Sequence, residues 1–167
     1  MIYSLVEQGG VLACAVAKAL GGVPVQRADD GRLICPANQI SEISLRPAGG
    51  ALEVSFGGET LLHDKLELAE GDAAAFEAAA LGRYVCDDIG ASASIETTDE
   101  GPVLAVSGGH GEMRYRLTAL SPRVAFGRAR GEMAFFRPTL TLDIADGAAT
   151  SFAINTNRTR GLVFRRI

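Results

Sequence analysis

Between Thr139 and Ala145 every second residue is apolar. Leu140, Leu142 and Ile144 alternate with Thr139, Thr141 and Asp143. A period of two belongs to a strand with one face in a core and the other in water, because successive side chains leave a strand on opposite sides. The same texture, cut by turn residues, runs from Gly82 to Ile167. It predicts strands near 83–89, 91–97, 102–107, 113–118, 123–128, 132–137, 139–145, 149–155 and 161–166. Turn residues separate them at Thr98–Gly101, Ser121-Pro122, Ala129–Gly131, Ala145–Gly147 and Asn155–Arg160. Many short strands joined by short turns favour an up-and-down barrel or a sandwich, and closing the barrel removes exposed edges. The expected fold is therefore mainly β: an eight-stranded antiparallel up-and-down barrel of lipocalin or streptavidin type, with an N-terminal helix and extra hairpin strands. Tyr84, Leu140, Leu142, Ile144, Phe152, Ile154 and Leu162 or Phe164 should point inward.

Upstream the pattern is less uniform. Ile2–Val6 reads as a strand end before the turn Gly9-Gly10. Val11–Leu20 (VLACAVAKAL) carries a single charge, Lys18, and is stopped by Gly21-Gly22. It reads as a buried helix, apolar all round. Residues 23–36 hold two prolines and Asp29-Asp30-Gly31, the marks of a crossing segment. Alternation returns in Ile40–Arg46, in Ala51–Phe56 and around Leu62, Leu66 and Leu68, which predicts hairpin strands with His63 on their polar face. Gly71–Leu81 (GDAAAFEAAAL) reads as a second helix, with Asp72 as N-cap. Three regions result: 1–39, a strand, helix and linker; 40–81, hairpin strands and an Ala-rich helical connector; and 82–167, the barrel.

At 167 residues, 47% hydrophobic and 22% charged, the chain can bury about 70% of its unfolded surface and needs no staples. Net charge is −4, which argues against a nucleic-acid partner. The charge is uneven: Asp64–Glu100 holds 10 acids and 2 bases, while Arg123–Ile167 holds 8 Arg and 3 acids. Strands from these segments are expected to face and compensate one another. The three cysteines, Cys14, Cys35 and Cys86, are odd in number and widely spaced, which supports neither a disulfide framework nor a zinc site. A reducing, cytoplasmic location is expected. No apolar run is long enough for a transmembrane helix, and no membrane partner is expected.

A search for chemistry finds no SxxK, GxSxG, HExxH, P-loop or GxGxxG. No catalytic residue, metal site or cofactor is expected. Asp87-Asp88, adjacent in a strand, would point apart. Phe164-Arg165-Arg166 reads as an apolar anchor with solvated charges. The feature with most functional promise is the glycine-dense segment Ser107-Gly108-Gly109-His110-Gly111-Glu112. Glycine permits close backbone approach, and His110 offers a switchable donor or acceptor.

The segment opens on Gly82-Arg83-Tyr84 and closes on Arg160-Gly161-Leu162-Val163-Phe164-Arg165-Arg166. An opening G-R-Y and a closing R-G-x-x-[FY]-R-R resemble the frame of the C-terminal barrel of bacterial D-aminopeptidases. These are serine hydrolases related to penicillin-binding proteins and class C β-lactamases. Ile2–Gly22 resembles the last strand and helix of their catalytic domain, and Ser44–Phe56 resembles early hairpin strands of their middle barrel. The resemblance implies an accessory barrel region, with Ser107–Glu112 matching the loop that limits substrate size at the catalytic cleft. Neither the SxxK serine and lysine nor the tyrosine motif has a counterpart here. The partner it implies is a catalytic serine-hydrolase domain, in cis or in trans; the apolar helix at 11–20, by its own residues, is expected to dock on a second copy, giving a homodimer, or on the chain's own barrel. The alternative is a stand-alone, small-ligand-binding lipocalin-like barrel.

Overall fold

The computed structural model describes residues 3–8, 11–16, 23–35, 43–66, 69–129, 137–156, 159 and 161–167. The chain forms two compact units, Ile2–Leu66 and Glu67–Ile167.

In the first unit the expected helix is a strand. β1 (Tyr3–Gln8) and β2 (Val11–Val16) form an antiparallel hairpin, with Gln8 opposite Val11 and Tyr3 opposite Val16. Residues 17–20 of the expected helix lie outside the described residues. The physical reason is local. A Gly-Gly pair between two short apolar runs is a hairpin signal in the sequence, and Val11 and Val16 are β-branched. An apolar run this short reads equally as a buried strand. The argument for a second copy bound through an apolar helix loses its premise here. β2 pairs in turn with β3 (Val23–Pro24).

The expected crossing segment is also strand. β4 (Gln26–Arg27), β5 (Leu33–Cys35), β6 (Ile43–Ala48), β7 (Ala51–Phe56) and β8 (Glu59–Asp64) form a five-stranded antiparallel sheet in chain order. Leu33, Cys35, Ile43, Leu45 and Val54 make its core. His63 is not on the polar face. It is opposite Leu52, on the face that carries the core, where burial lowers its pKa. Leu62 occupies the other face, at 65% exposure.

The second unit holds the expected barrel. β9 (Gly82–Cys86), β10 (Ala91–Thr98), β11 (Gly101–Gly108), β12 (Gly111–Ser121), β13 (Val124–Ala129), β14 (Thr139–Ala145), β15 (Ala148–Asn155) and β16 (Leu162–Arg166) close in chain order, with β16 paired to β9. All its pairings are antiparallel. Register shifts between Ala119 and Ser121 and between Asp143 and Ile144 supply local bends of the kind closure requires. The strand expected at 132–137 lies outside the described residues, apart from Arg137, which is not in a strand. The strand expected to reach residue 89 ends at Cys86. Asp87–Ile89 is a 3-10 turn, so Asp87 and Asp88 are exposed turn residues and not strand neighbours.

The inward positions follow the period of two. Tyr84, Leu140, Leu142, Phe152, Ile154 and Phe164 are buried, and Ile144 and Leu162 pack against them partly buried. The Phe152 ring stacks on Phe164 at 5.0 Å and meets Tyr84 edge-on at 4.8 Å. This aromatic cluster joins the adjacent strands β9, β15 and β16 inside the barrel.

α1 (Asp72–Ala80) precedes β9. Its N-cap is Gly71, at φ 87°, and not Asp72, whose carboxylate instead accepts from the Ala69 N–H at 2.8 Å. Phe76, Ala79 and Ala80 fall on one helical face at i, i+3 and i+4, and all three belong to the barrel's core cluster. Thr97 donates to Glu77 at 2.6 Å, which ties the helix to the β10 end opposite Gly82.

One side chain joins helix, first strand and last strand. Arg166 was expected to be solvated, yet Nη2 donates to Ala79 O and to the Tyr84 hydroxyl, each at 3.0 Å, and Nε donates to Ala149 O. Its Cζ lies 5.1 Å from the Tyr84 ring centroid. The Tyr84 hydroxyl donates onward to Ala80 O at 2.5 Å. Period two explains the choice between the neighbouring arginines: Arg166 shares the inward face with Phe164, and Arg165 is exposed.

Candidate functional site

The Ser107–Glu112 segment is a tight hairpin. β11 runs to Gly108 and β12 starts at Gly111, which leaves Gly109 and His110 as a two-residue tip. Gly111 adopts φ 103°, in the region that side chains disfavour. The Ser107 hydroxyl donates to Glu112 Oε2 at 3.2 Å, and Glu112 Oε1 accepts from Arg114 Nη1 at the same distance. These bonds brace the base of the hairpin, while Gly108, Gly109, His110 and Gly111 are all exposed. Ser107 pairs with Ser92, and Thr97 binds α1 farther along β10. The hairpin therefore belongs to the end of the barrel away from the helix. Its backbone is held by the ladder, and what it presents is one imidazole on bare glycine.

A second feature was not legible in the sequence. A cleft of about 630 Å3 is lined by the β10–β11 turn, at Asp99 and Glu100, and by β12, at Glu112, Arg114 and Arg116. Val103, Met113 and Ala129 add apolar surface. Arg114 pairs with Glu112 at 3.2 Å and Arg116 with Glu100 at 3.8 Å, all four side chains being half exposed or more. Arg116 also lies directly opposite Arg128 of β13. Both arginines are exposed, so solvent weakens what would otherwise be a costly like-charge pair. The only sequence signal for this cleft was Glu112, Arg114 and Arg116 at i, i+2 and i+4, which puts all three on one strand face. The contribution of the turn at Asp99-Glu100 depends on register.

His63 and His110 lie in different units. Among the described residues no group of three His, Cys, Asp or Glu side chains is arranged to hold a metal ion. Cys35 and Cys86 are buried free thiols. No helix among the described residues is long and apolar enough to cross a membrane. No family model matches the chain, and no curated protein matches it.

Proposed function

We propose that the Gly82–Ile167 barrel is a non-catalytic accessory module of a D-aminopeptidase-like serine hydrolase. Its Ser107–Glu112 hairpin would limit access to an active site carried on a separate domain, in cis or in trans. One observation carries this reading. Gly82, Tyr84 and Arg166, from the two motifs that bear the resemblance, meet one another across the seam between the first and last strands. The resemblance therefore falls on residues that define where the barrel begins and ends. The braced hairpin adds support, since a size filter needs a tip whose position does not yield to substrate.

The test has two arms. The purified chain alone should hydrolyse neither D-alanine p-nitroanilide nor nitrocefin. Added to a D-aminopeptidase catalytic domain stripped of its own barrels, it should shorten the peptides accepted, and deletion of Gly109-His110 should relax that limit. A length preference that is the same with and without the barrel would overturn the reading.

The cleft beside Arg114 and Arg116 favours a second reading, a small-ligand-binding barrel that takes its ligand on the outer wall. Arginine guanidinium forks suit carboxylate or phosphate groups. Amide shifts at Val103, Met113 and Arg116 on titration with small dicarboxylates would favour this reading. An unchanged spectrum at millimolar ligand would remove it.

A further inference from the structure

We propose that β8 is a docking edge for the β8 of a second copy of this chain. Six large apolar side chains are exposed among the described residues, and four of them, Phe56, Leu61, Leu62 and Leu66, lie within residues 56–66. Leu61 is opposite Val54, whose side chain is buried, so it extends the sheet's core face to the edge and remains 48% exposed there. Leu62 is exposed on the opposite face of the same strand. Among the described residues β8 pairs on one side only, with β7, and that ladder is regular from Phe56–Glu59 to Ala51–Asp64. Neither a proline nor a bulge blunts it. An edge that is regular and apolar at its centre invites strand addition.

The sequence of the edge argues for a second copy as the occupant. Antiparallel pairing about a two-fold axis through Leu62 sets Leu62 against its own copy and Leu61 against His63. It sets Thr60 against Asp64, and Glu59 against Lys65. The outermost pair is of opposite charge and occurs twice. Moving the axis by one residue, to Leu61 or His63, breaks that charge pair, and at His63 it also sets Leu62 against Asp64 and Leu61 against Lys65. The strand thus complements itself best with Leu62 on the axis, where an apolar centre is flanked by opposite charges in an isologous interface.

Sedimentation equilibrium of the whole chain at tens of micromolar should show a dimer. Leu62→Lys should weaken it by about tenfold or more, because it removes the central apolar contact and opposes two charges on the axis. At protein concentrations too low for the dimer the thermal unfolding curve should not move, since Leu62 is exposed in the single chain, whereas at tens of micromolar it should shift down as the dimer is lost. Glu59→Lys and Lys65→Glu should each weaken the dimer, and the double swap should restore it. A whole chain that stays monomeric overturns the proposal, leaving the edge to a different chain or to none. A dimer indifferent to Leu62→Lys places the interface elsewhere, and a double swap that fails to restore association excludes this register.

Discussion

A β-carbon on Gly82 would collide with the guanidinium of Arg166, coming within 3.0 Å of Cζ and closer still to Nη1. Two residues 84 positions apart therefore share one space, and glycine is what leaves room for the arginine to reach Ala79, Ala149 and Tyr84. Gly82 also sits at φ 151°, in a region side chains disfavour. Gly82→Ala should cost about 2–4 kcal/mol, combining backbone strain with the loss of charged hydrogen bonds. In the background of Arg166→Met, part of that cost should vanish, because the atom that blocks the β-carbon is gone. Urea unfolding of the two single variants and the double variant measures this coupling.

Tyr84 makes a pH-dependent contribution. Burial raises its pKa above the ordinary tyrosine value of about 10, and the nearby Arg166 charge offsets only part of that rise. Burial alone raises Tyr115. A phenol whose folded pKa lies above its unfolded value contributes stability that is present below pH ~10 and lost as pH climbs through the folded pKa. Stability should thus fall on the alkaline side of pH ~10, and the tyrosinate absorbance of these two residues should rise late or together with unfolding. Tyr84→Phe should remove part of this alkaline fall. At neutral pH it should cost about 1–3 kcal/mol, since Ala80 O and Arg166 each lose a partner.

Phe76 is wholly buried and anchors α1 in the barrel core. Phe76→Ala should destabilise the Glu67–Ile167 unit by about 3–5 kcal/mol. Ala74→Ser, on the exposed side of the same helix, should change stability by about 0.5 kcal/mol or less. Chemical denaturation of both variants separates loss of the buried anchor from a general effect of altering the helix.

Glycine matters unequally along the hairpin. Gly111 holds φ 103°, and Gly111→Val should cost about 1–3 kcal/mol. Gly109 has open space around it and does not take the left-handed conformation. Gly109→Ala should be close to neutral in thermal unfolding, as should His110→Ala. A large loss from Gly109→Ala would show that the tip has packing partners in solution.

The barrel was readable from one strand outward. Wherever one face is buried and the other wet, alternation declares both the strand and its facing, as Leu140, Leu142 and Ile144 did. It failed where that contrast is absent. Val11–Val16 is apolar on both parities, so no period separates helix from strand, and pairing with Tyr3–Gln8 decided it. It misled at the sheet edge for another reason. Polarity predicts His63 outward and Leu62 inward, yet on β8, which pairs on one side only among the described residues, Leu62 stays in water and His63 takes the core face.

The amino-acid sequence by itself determined the barrel class and, wherever apolar and polar residues alternate, the strands, because these depend on contrasts between residues two to four apart. Only the tertiary structure decided which arginine of Arg165-Arg166 turns inward to bridge α1, β9 and β16. Tertiary pairing likewise sets Glu100 near Arg116 to line the cleft, and pairs β8 on one side only among the described residues. Each of these depends on registers between strands distant in the chain. Register follows from the sum of many cross-strand contacts and not from any local pattern.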